Sequence, residues 1–487
     1  MRYIYLPLDD RPCTMQFPRQ LARAAGEEIT VPTDLKDKDF REAYPFEKSR
    51  EFLFAHAGND VCLTLAVDQL CFGGLLQSRK MGDVGEEEAL RRLDVVRELK
   101  EKYPGMQINA FSVIMRASIS TLSKEDLGHY GNMTLFCQLS HKVHLWHREE
   151  DEKELAHVKA QIPEALLSHY LSVRKRNHAV NMAALNLAKE GVLNTLMLLQ
   201  EDAQEYGLHR LEQEKLEAAR NGDARIFIHN GADEGGTMAS LSAIARHRGV
   251  KGRLAVRYLR GDDGAFVARY EDRPFRENLE SHLRYAGLDR VQEDECDHVL
   301  CILSPDEQGQ RDMADDIDET DSPDLQAAFA AQMKDLAAQG KKVYFLDLTL
   351  ANGGLPGMLS SIHQQMGISA LWGYSAWNTT CNALGTIVGQ ILSDMMAGKR
   401  NETFLWERML DDCLYEGVLR RKLRDIVTQR GEDGLALTDK KRAEKDLCTL
   451  ADEEIERHAF TREMPVAYAY DLPWPRVFEC RVQCTAK

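Results

Sequence analysis

The chain has 487 residues, 44% of them hydrophobic and 29% charged, with a formal net charge of −16 at pH 7. That length exceeds one ordinary domain, and the composition is that of a globular chain able to bury a large core. The acidic balance excludes general affinity for nucleic acid or an anionic membrane surface, which both require a basic face.

The N-terminal stretch "MRYIYLPLDDRP" enters a strand at once and meets two acids and a proline, so it lacks the apolar core of a signal peptide. No apolar stretch approaches membrane-spanning length. Strand-length apolar runs follow in chain order: "EITVP" from Glu28, "VCLTLAV" from Val61, "INAFSVIM" from Ile108, "TLMLL" from Thr195 and "RIFIHN" from Arg225. Five more complete the series: "RLAVRYL" from Arg253, "HVLCIL" from His298, "KVYFLDL" from Lys342, "ALWGY" from Ala370, and the opening "YIYLPL" from Tyr3. Amphipathic stretches such as "EEEALRRLDVVRELKEKY" lie between them, and this alternation predicts α/β structure with parallel sheets and right-handed crossovers. Ten strands exceed an eight-stranded barrel, so the reading is two Rossmann-like lobes, residues 1–245 and 246–400, with a single elaborated (β/α) barrel as the alternative. Residues 122–194 break the rhythm as a helical insertion, and residues 401–487 read as a helical segment ending in an edge strand within "WPRVFECRVQC". The 11 cysteines are scattered without a CxxC, which with the plain N-terminus predicts free thiols in a cytoplasmic protein.

Acids recur where these strands end: Asp9 and Asp10 (followed by Arg11), Asp68, Glu201 with Asp202, Asp233 with Glu234, and Asp347. Parallel strands put their carboxyl ends on one side of a sheet, so these groups are expected to converge. Each acid alone could equally cap a helix or hold a turn, and Asp347, at the head of "DLTLANGG", is the plainest structural case. A cluster costs stability through repulsion unless a cation, metal or shared proton compensates. Arg11, Arg79, Arg116, and Arg174 with Arg176 supply cations, although a solvated helix face is the simpler reading of Arg174. Glycine-rich turns at "FGGLLQSR", "NGADEGG" and "ANGGLPG" would let backbone approach a ligand, or simply make tight turns. Asn352, Trp377, Asn378 and Asn382 offer amides and an aromatic face suited to a sugar ring, or a packed Trp with a helix cap. His141, His144 and His147 lack zinc-site spacing and read as surface or interface residues.

The pieces "LPLDDRPC", "LAVDQLCFGGLLQSR", "RKRNHAVN", "QEDAQEYG", "GADEGG", "LANGGLPG" and "YSAWNTTCNALGT" together resemble the bacterial DUF4127 family, over most of the chain to about residue 390. The resemblance implies family-wide use of the strand-end acids but brings no established reaction. Where the family has Asp-Asp in the fourth piece, this chain has Glu201-Asp202.

Two carboxyls whose environments push them apart, one kept protonated and one ionised, are what glycoside cleavage requires. The expected function is therefore a carbohydrate-active hydrolase acting on a small or oligomeric sugar. In it Asp202 and Glu201 serve as acid and partner; Asp9, Asp10, Arg11, Asp68, Arg79, Arg116, Asp233, Glu234, Asn352, Trp377, Asn378 and Asn382 bind substrate. No cofactor and no nucleic-acid or membrane partner is expected, and the oligomeric state is left open. The alternatives are a divalent-metal hydrolase or lyase using Asp10, Asp202 and Asp233 as ligands, and a non-catalytic sugar-binding two-lobed protein.

Overall fold

The computed structural model describes residues 1–35, 41–80, 82, 84–120, 124–313, 317, 320–462 and 464–487. The start of the expected insertion, residues 122 and 123, lies outside the described residues. The chain is α/β, and its contacts divide it into two compact units. One comprises Met1–Arg19, Glu27–Ala243 and Tyr270–Arg273, the other Gln20–Gly26, Ile244–Arg269 and Pro274–Lys487.

The first unit is built on a six-stranded sheet: β1 (Arg2–Leu6), β2 (Ile29–Thr30), β3 (Val61–Ala66), β4 (Gln107–Ile114), β5 (Thr195–Gln200) and β6 (Ile226–Asn230), in the order β2-β1-β3-β4-β5-β6. Every pairing is parallel. Runs such as "VCLTLA" are buried along their whole length, as strands covered by helices on both faces must be. The chain order reverses between β1 and β3, and that reversal opens a crevice at the carboxyl ends of those strands. The insertion consists of helices Lys124–Trp146, Glu149–Ala160 and Glu164–Lys189. These share a core of their own around Met133, Phe136, Leu167 and Tyr170, and the last helix returns along β4 and β5.

The second unit repeats the plan. Strands β7 (Gly252–Tyr258), β8 (Leu288–Arg290), β9 (His298–Leu303), β11 (Lys342–Asp347) and β13 (Leu371–Ser375) form a parallel sheet in the order β13-β11-β9-β7-β8. Numbered within the unit, this is again 2-1-3-4-5. Two short strands, β10 (Arg311–Asp312) and β12 (Leu350–Ala351), pair in parallel beside it. Residues 401–487 share one core with this sheet: Leu405, Tyr415, Leu447 and Val482 belong to the same cluster as Val299, Phe345 and Leu371. The final strand, β15 (Arg481–Ala486), pairs antiparallel with β14 (Val466–Asp471). It begins later than the alternation from Trp474 suggests, because Pro475 offers no donor and its carbonyl is taken by Leu437 N–H at 2.8 Å. No helix among the described residues is long and apolar enough to cross a membrane.

The core of the second unit holds an ionisable group. The Tyr344 hydroxyl lies 3.2 Å from Asp394 Oδ2 and 3.2 Å from His298 Nδ1, while Asn401 N–H donates to Asp394 Oδ1 at 2.9 Å. Burial pushes the Asp394 carboxyl from 3.8 up to about 8, against those hydrogen bonds. Between these pH values the folded state keeps a proton that the unfolded state has lost, so stability declines as pH rises from about 4 to about 8. Asp394→Asn retains the shape without the ionisation. Its melting temperature relative to wild type should therefore rise by several degrees between pH 4 and pH 8, with 1 kcal/mol worth about 2–4 °C for a cooperative unit of about 150–250 residues. A thermal scan at both pH values checks this, and a difference that stays constant would refute the burial account.

Candidate functional site

The carboxyl ends of the first sheet carry a row of ion pairs, one of which is brought together by a single helix. After β6, the turn at Gly231 (φ 111°) leads into the helix Gly235–His247, whose first two residues press on the sheet. A Cβ at Gly235 would come 2.7 Å from the Phe111 ring, and one at Gly236 would overlap the Tyr5 hydroxyl. Further along, Ser240 Oγ donates to Thr64 Oγ1 of β3 at 3.0 Å. The helix thus lies back across β4, β1 and β3 and returns Asp233 to the first strand's loop. There Arg11 Nη2 donates to Asp233 Oδ1 at 2.7 Å and to Asp9 Oδ2 at 2.8 Å. Its Nη1 reaches Asp233 Oδ2 at 3.0 Å. Burial works against the Arg11 charge, and Asp233 and Asp9 outweigh it, so its pKa is raised. Thr14, in the π-helical turn Pro12–Gln16, donates to Asp9 Oδ1 at 2.6 Å.

The row continues at β4 and β5. β5 ends at Gln200, so Glu201 and Asp202 stand just past the strand, where the backbone turns and neighbouring side chains need not oppose one another. Arg79 donates to Glu201 and Arg116 to Asp202, with Arg116 Nη1 also 3.9 Å from Glu201 Oε1. Both acids accept from arginines, the pairing that suits a carboxylate's two oxygens. Burial and the nearby Arg116 lower the Arg79 guanidinium to about 9, still charged at neutral pH; Asp202, Arg11 and Asp233 are also close enough to act on it. Glu201 Oε2, Arg79 Nε and Arg116 Nε are buried and have no hydrogen-bond partner among the described residues.

The segments that carry Arg79 and Arg116 are themselves held by the insertion's last helix, through "RKRN". Arg174, only 3% exposed, donates to the carbonyls of Met115 (3.1 Å) and Arg116 (2.8 Å) and pairs with Glu212 at 2.7 Å. The solvated-face reading of Arg174 is therefore wrong. Arg176 Nη1 donates to the carbonyls of Lys80 and Val84 at 2.8 Å each and Nη2 to that of Ser78 at 2.5 Å, fastening the segment that carries Arg79. Asn181 donates to Val113 O at 3.2 Å. Sequence reasoning missed this role. The signal was the i, i+3, i+7 spacing of Arg174, Asn177 and Asn181, a polar stripe on the face that also holds Val173 and Ala184.

Other expected residues fall as follows. Asp68 starts the helix Val67–Phe72, is 2% exposed and accepts Val113 N–H at 2.8 Å. Asp10 is buried, and Glu234 folds back to accept Ala232 N–H at 2.9 Å. His141 is buried rather than on the surface, because its Nδ1 accepts Gly207 N–H at 3.2 Å and fastens the loop after Asp202; His144 and His147 are exposed. In the glycine-rich turns the close neighbours are the protein's own groups: Tyr44 backbone at Gly73, Tyr5 at Gly236 and Tyr374 at Gly354. Asn352, Trp377, Asn378, Asn382 and Asp347 belong to the second unit. Asp347 Oδ1 accepts both the N–H (3.1 Å) and the hydroxyl (2.7 Å) of Thr349. Asn352 N–H donates to Asn378 O at 3.0 Å, both residues having positive φ (64° and 70°). Asn382 donates to Thr379 Oγ1 at 3.0 Å. Their loop is secured by Asp412, from the π-helix Met409–Leu419, which accepts the N–H of Ala376 at 2.8 Å and of Trp377 at 3.3 Å. Of the acids considered for a divalent metal, Asp202 and Asp233 already accept from arginines, which a cation would have to displace.

Among known proteins, the family described as "Protein of unknown function (DUF4127)" matches the chain over residues 3–483. No curated protein and no solved structure matches it.

The Arg11 bridge generates a stability prediction. Arg11→Ala leaves Asp9 and Asp233 buried without their shared cation, which typically costs about 3–5 kcal/mol. Adding Asp9→Asn and Asp233→Asn should recover part of that loss. Urea unfolding of the single and triple variants checks both steps, and equal stability of Arg11→Ala and wild type would show the bridge to be incidental.

Proposed function

We propose that this chain, which belongs to the DUF4127 family, is a carbohydrate-active hydrolase that cleaves a glycosidic bond at the carboxyl ends of its first sheet. The observation that carries the reading is the alternation of buried guanidinium and carboxylate groups from β1 to β6, with Arg79, Arg116 and Glu201 retaining unused hydrogen-bonding atoms. A sugar presents neighbouring hydroxyls, each both donor and acceptor. A row of alternating donors and acceptors matches that pattern, whereas a lone anionic or cationic ligand would be matched by one sign of charge. The positive charge that develops at the anomeric carbon is favoured beside ionised Glu201 and Asp202. Arg79 and Arg116 hold those carboxylates in place, and Arg11, Asp9 and Asp233 shape the adjoining subsite. Glu201 Oε1 is tied to Arg79 while Oε2 is unpartnered, so Glu201 is the group best placed to face the reacting carbon or its water.

A panel of chromogenic glycosides tests the reading. Glu201→Gln keeps the shape and the contact with Arg79 but removes the charge, so turnover should fall about 10²–10⁴-fold. Melting temperature should change little. A variant that melts lower yet turns over normally would make Glu201 a structural ion-pair member, and a wild type inert across the panel would dismiss the hydrolase.

A further inference from the structure

Cleaving a glycoside with a poor leaving group needs a proton delivered to the departing oxygen, and a carboxylate gripped by arginine holds one badly. Asp68 differs from Asp9, Glu201, Asp202 and Asp233, each of which accepts from an arginine. It lies at the end of β3, between the Arg11 bridge after β1 and Arg116 after β4, and is 2% exposed. Its Oδ2 accepts from a neutral donor, Val113 N–H at 2.8 Å, and no arginine or lysine among the described residues lies within ion-pair distance of it. Arg176 and Arg79, the latter the partner of Glu201, act on Asp68 only from beyond ion-pair distance.

We propose that Asp68 is the proton donor of the reaction, that Glu201 is the base, and that the enzyme inverts anomeric configuration; this rests on the carbohydrate reading above. Asp68 follows β3 and Glu201 follows β5, with β4 between them, and Asp68 Oδ2 rests on β4 through Val113 N–H. A base that activates water, rather than a nucleophile that bonds to C1, gives a single displacement and therefore inversion. Asp68 gives its proton to the glycosidic oxygen as the C1–O bond breaks and its electron pair stays on that oxygen. A water adds to C1 from the opposite face and yields its proton to Glu201 Oε2. Solvent then returns a proton to Asp68 and removes one from Glu201, closing the cycle. Burial holds the Asp68 carboxyl up to about 6, over the pull of Val113 N–H, Arg176 and Arg79, so a protonated fraction is available near neutrality.

The test compares wild type and Asp68→Asn on a nitrophenyl and an alkyl glycoside of the same sugar. It also follows the first anomer released by proton NMR and the protonated-carboxyl infrared band that wild type has and Asp68→Asn lacks. Asp68→Asn should lose about 10²–10⁴-fold on the alkyl glycoside and far less on the nitrophenyl one, whose leaving group needs no proton. Wild-type kcat/KM on the alkyl substrate should fall as pH rises through about 6, and that limb should vanish in the variant. The infrared band should fade over the same range, and the first product should have inverted configuration. Equal losses on both substrates, retained configuration, or no such band at pH 5 would each overturn the assignment while leaving the hydrolase standing. A wild type inert toward every glycoside would remove the carbohydrate reading and this role with it.

Discussion

The first unit depends on two residues that lack side chains. Gly235 and Gly236 allow the helix after β6 to lie directly on Phe111 and Tyr5, and no other residue type fits there without shifting a ring or a strand. From that contact the turn before the helix is swung back over the sheet, which sets Asp233 against Arg11 although the two strands are far apart in sheet order. A parallel sheet normally offers one crevice, at the point where the strand order reverses. Here the helix carries a remote strand's acid to that crevice, and five strand ends contribute to one charged row.

That row is stable because its charges are matched, not because they are solvated. Asp9, Asp233 and Glu201 are buried and Asp202 is half-buried, and burial without a partner disfavours a charged carboxylate. Arg11, Arg79 and Arg116 relieve that pressure, and the segments carrying Arg79 and Arg116 are secured through backbone carbonyls gathered by Arg176 and Arg174. Arginine suits the task because its fork satisfies several carbonyls at once and keeps its charge when buried. The helical insertion is therefore part of the site's scaffold. Its last helix sets where the cations stand, and His141 on its first helix fastens the loop that follows the acids. Asp68, in the same row, is left outside this matching, and burial rather than pairing governs its proton.

The second unit uses the same strand order for different ends. Its own carboxyl-end loops are tied down by a π-helix, where Asp412 collects two backbone N–H groups and takes Arg408 Nη1 at 2.7 Å. π-Helical geometry is rare and concentrates where a side chain must be placed off the regular helical positions. Three crowded neighbours account for the glycines of "ANGGLPG" without any ligand: the π-helix against Gly353, the Tyr374 hydroxyl against Gly354 and Gln326 against Gly357. Two asparagines in left-handed conformation, joined by a hydrogen bond, complete a loop that is strongly constrained throughout.

Local pattern alone determined the ten main strands, the α/β class and the acids at strand ends. A buried parallel strand is a short apolar run, and its end is marked within a few residues by polar and turn-forming side chains. The four strands that escaped notice, β8, β10, β12 and β14, are short or exposed on one face and carry no such run. Only the tertiary structure decided which charges meet. Arg11 and Asp233 are 222 residues apart, and Arg79 and Glu201 are 122 apart. Those distances close through sheet order and through a helix whose course depends on two glycines, neither of which leaves a periodic trace. The same holds for residues 401–487, whose apolar positions read as a separate helical tract until the second sheet supplies the surface that buries them. A sequence records which side chains are available at each strand end; the packing of helices against the sheet settles which of them are ionised, paired or held apart.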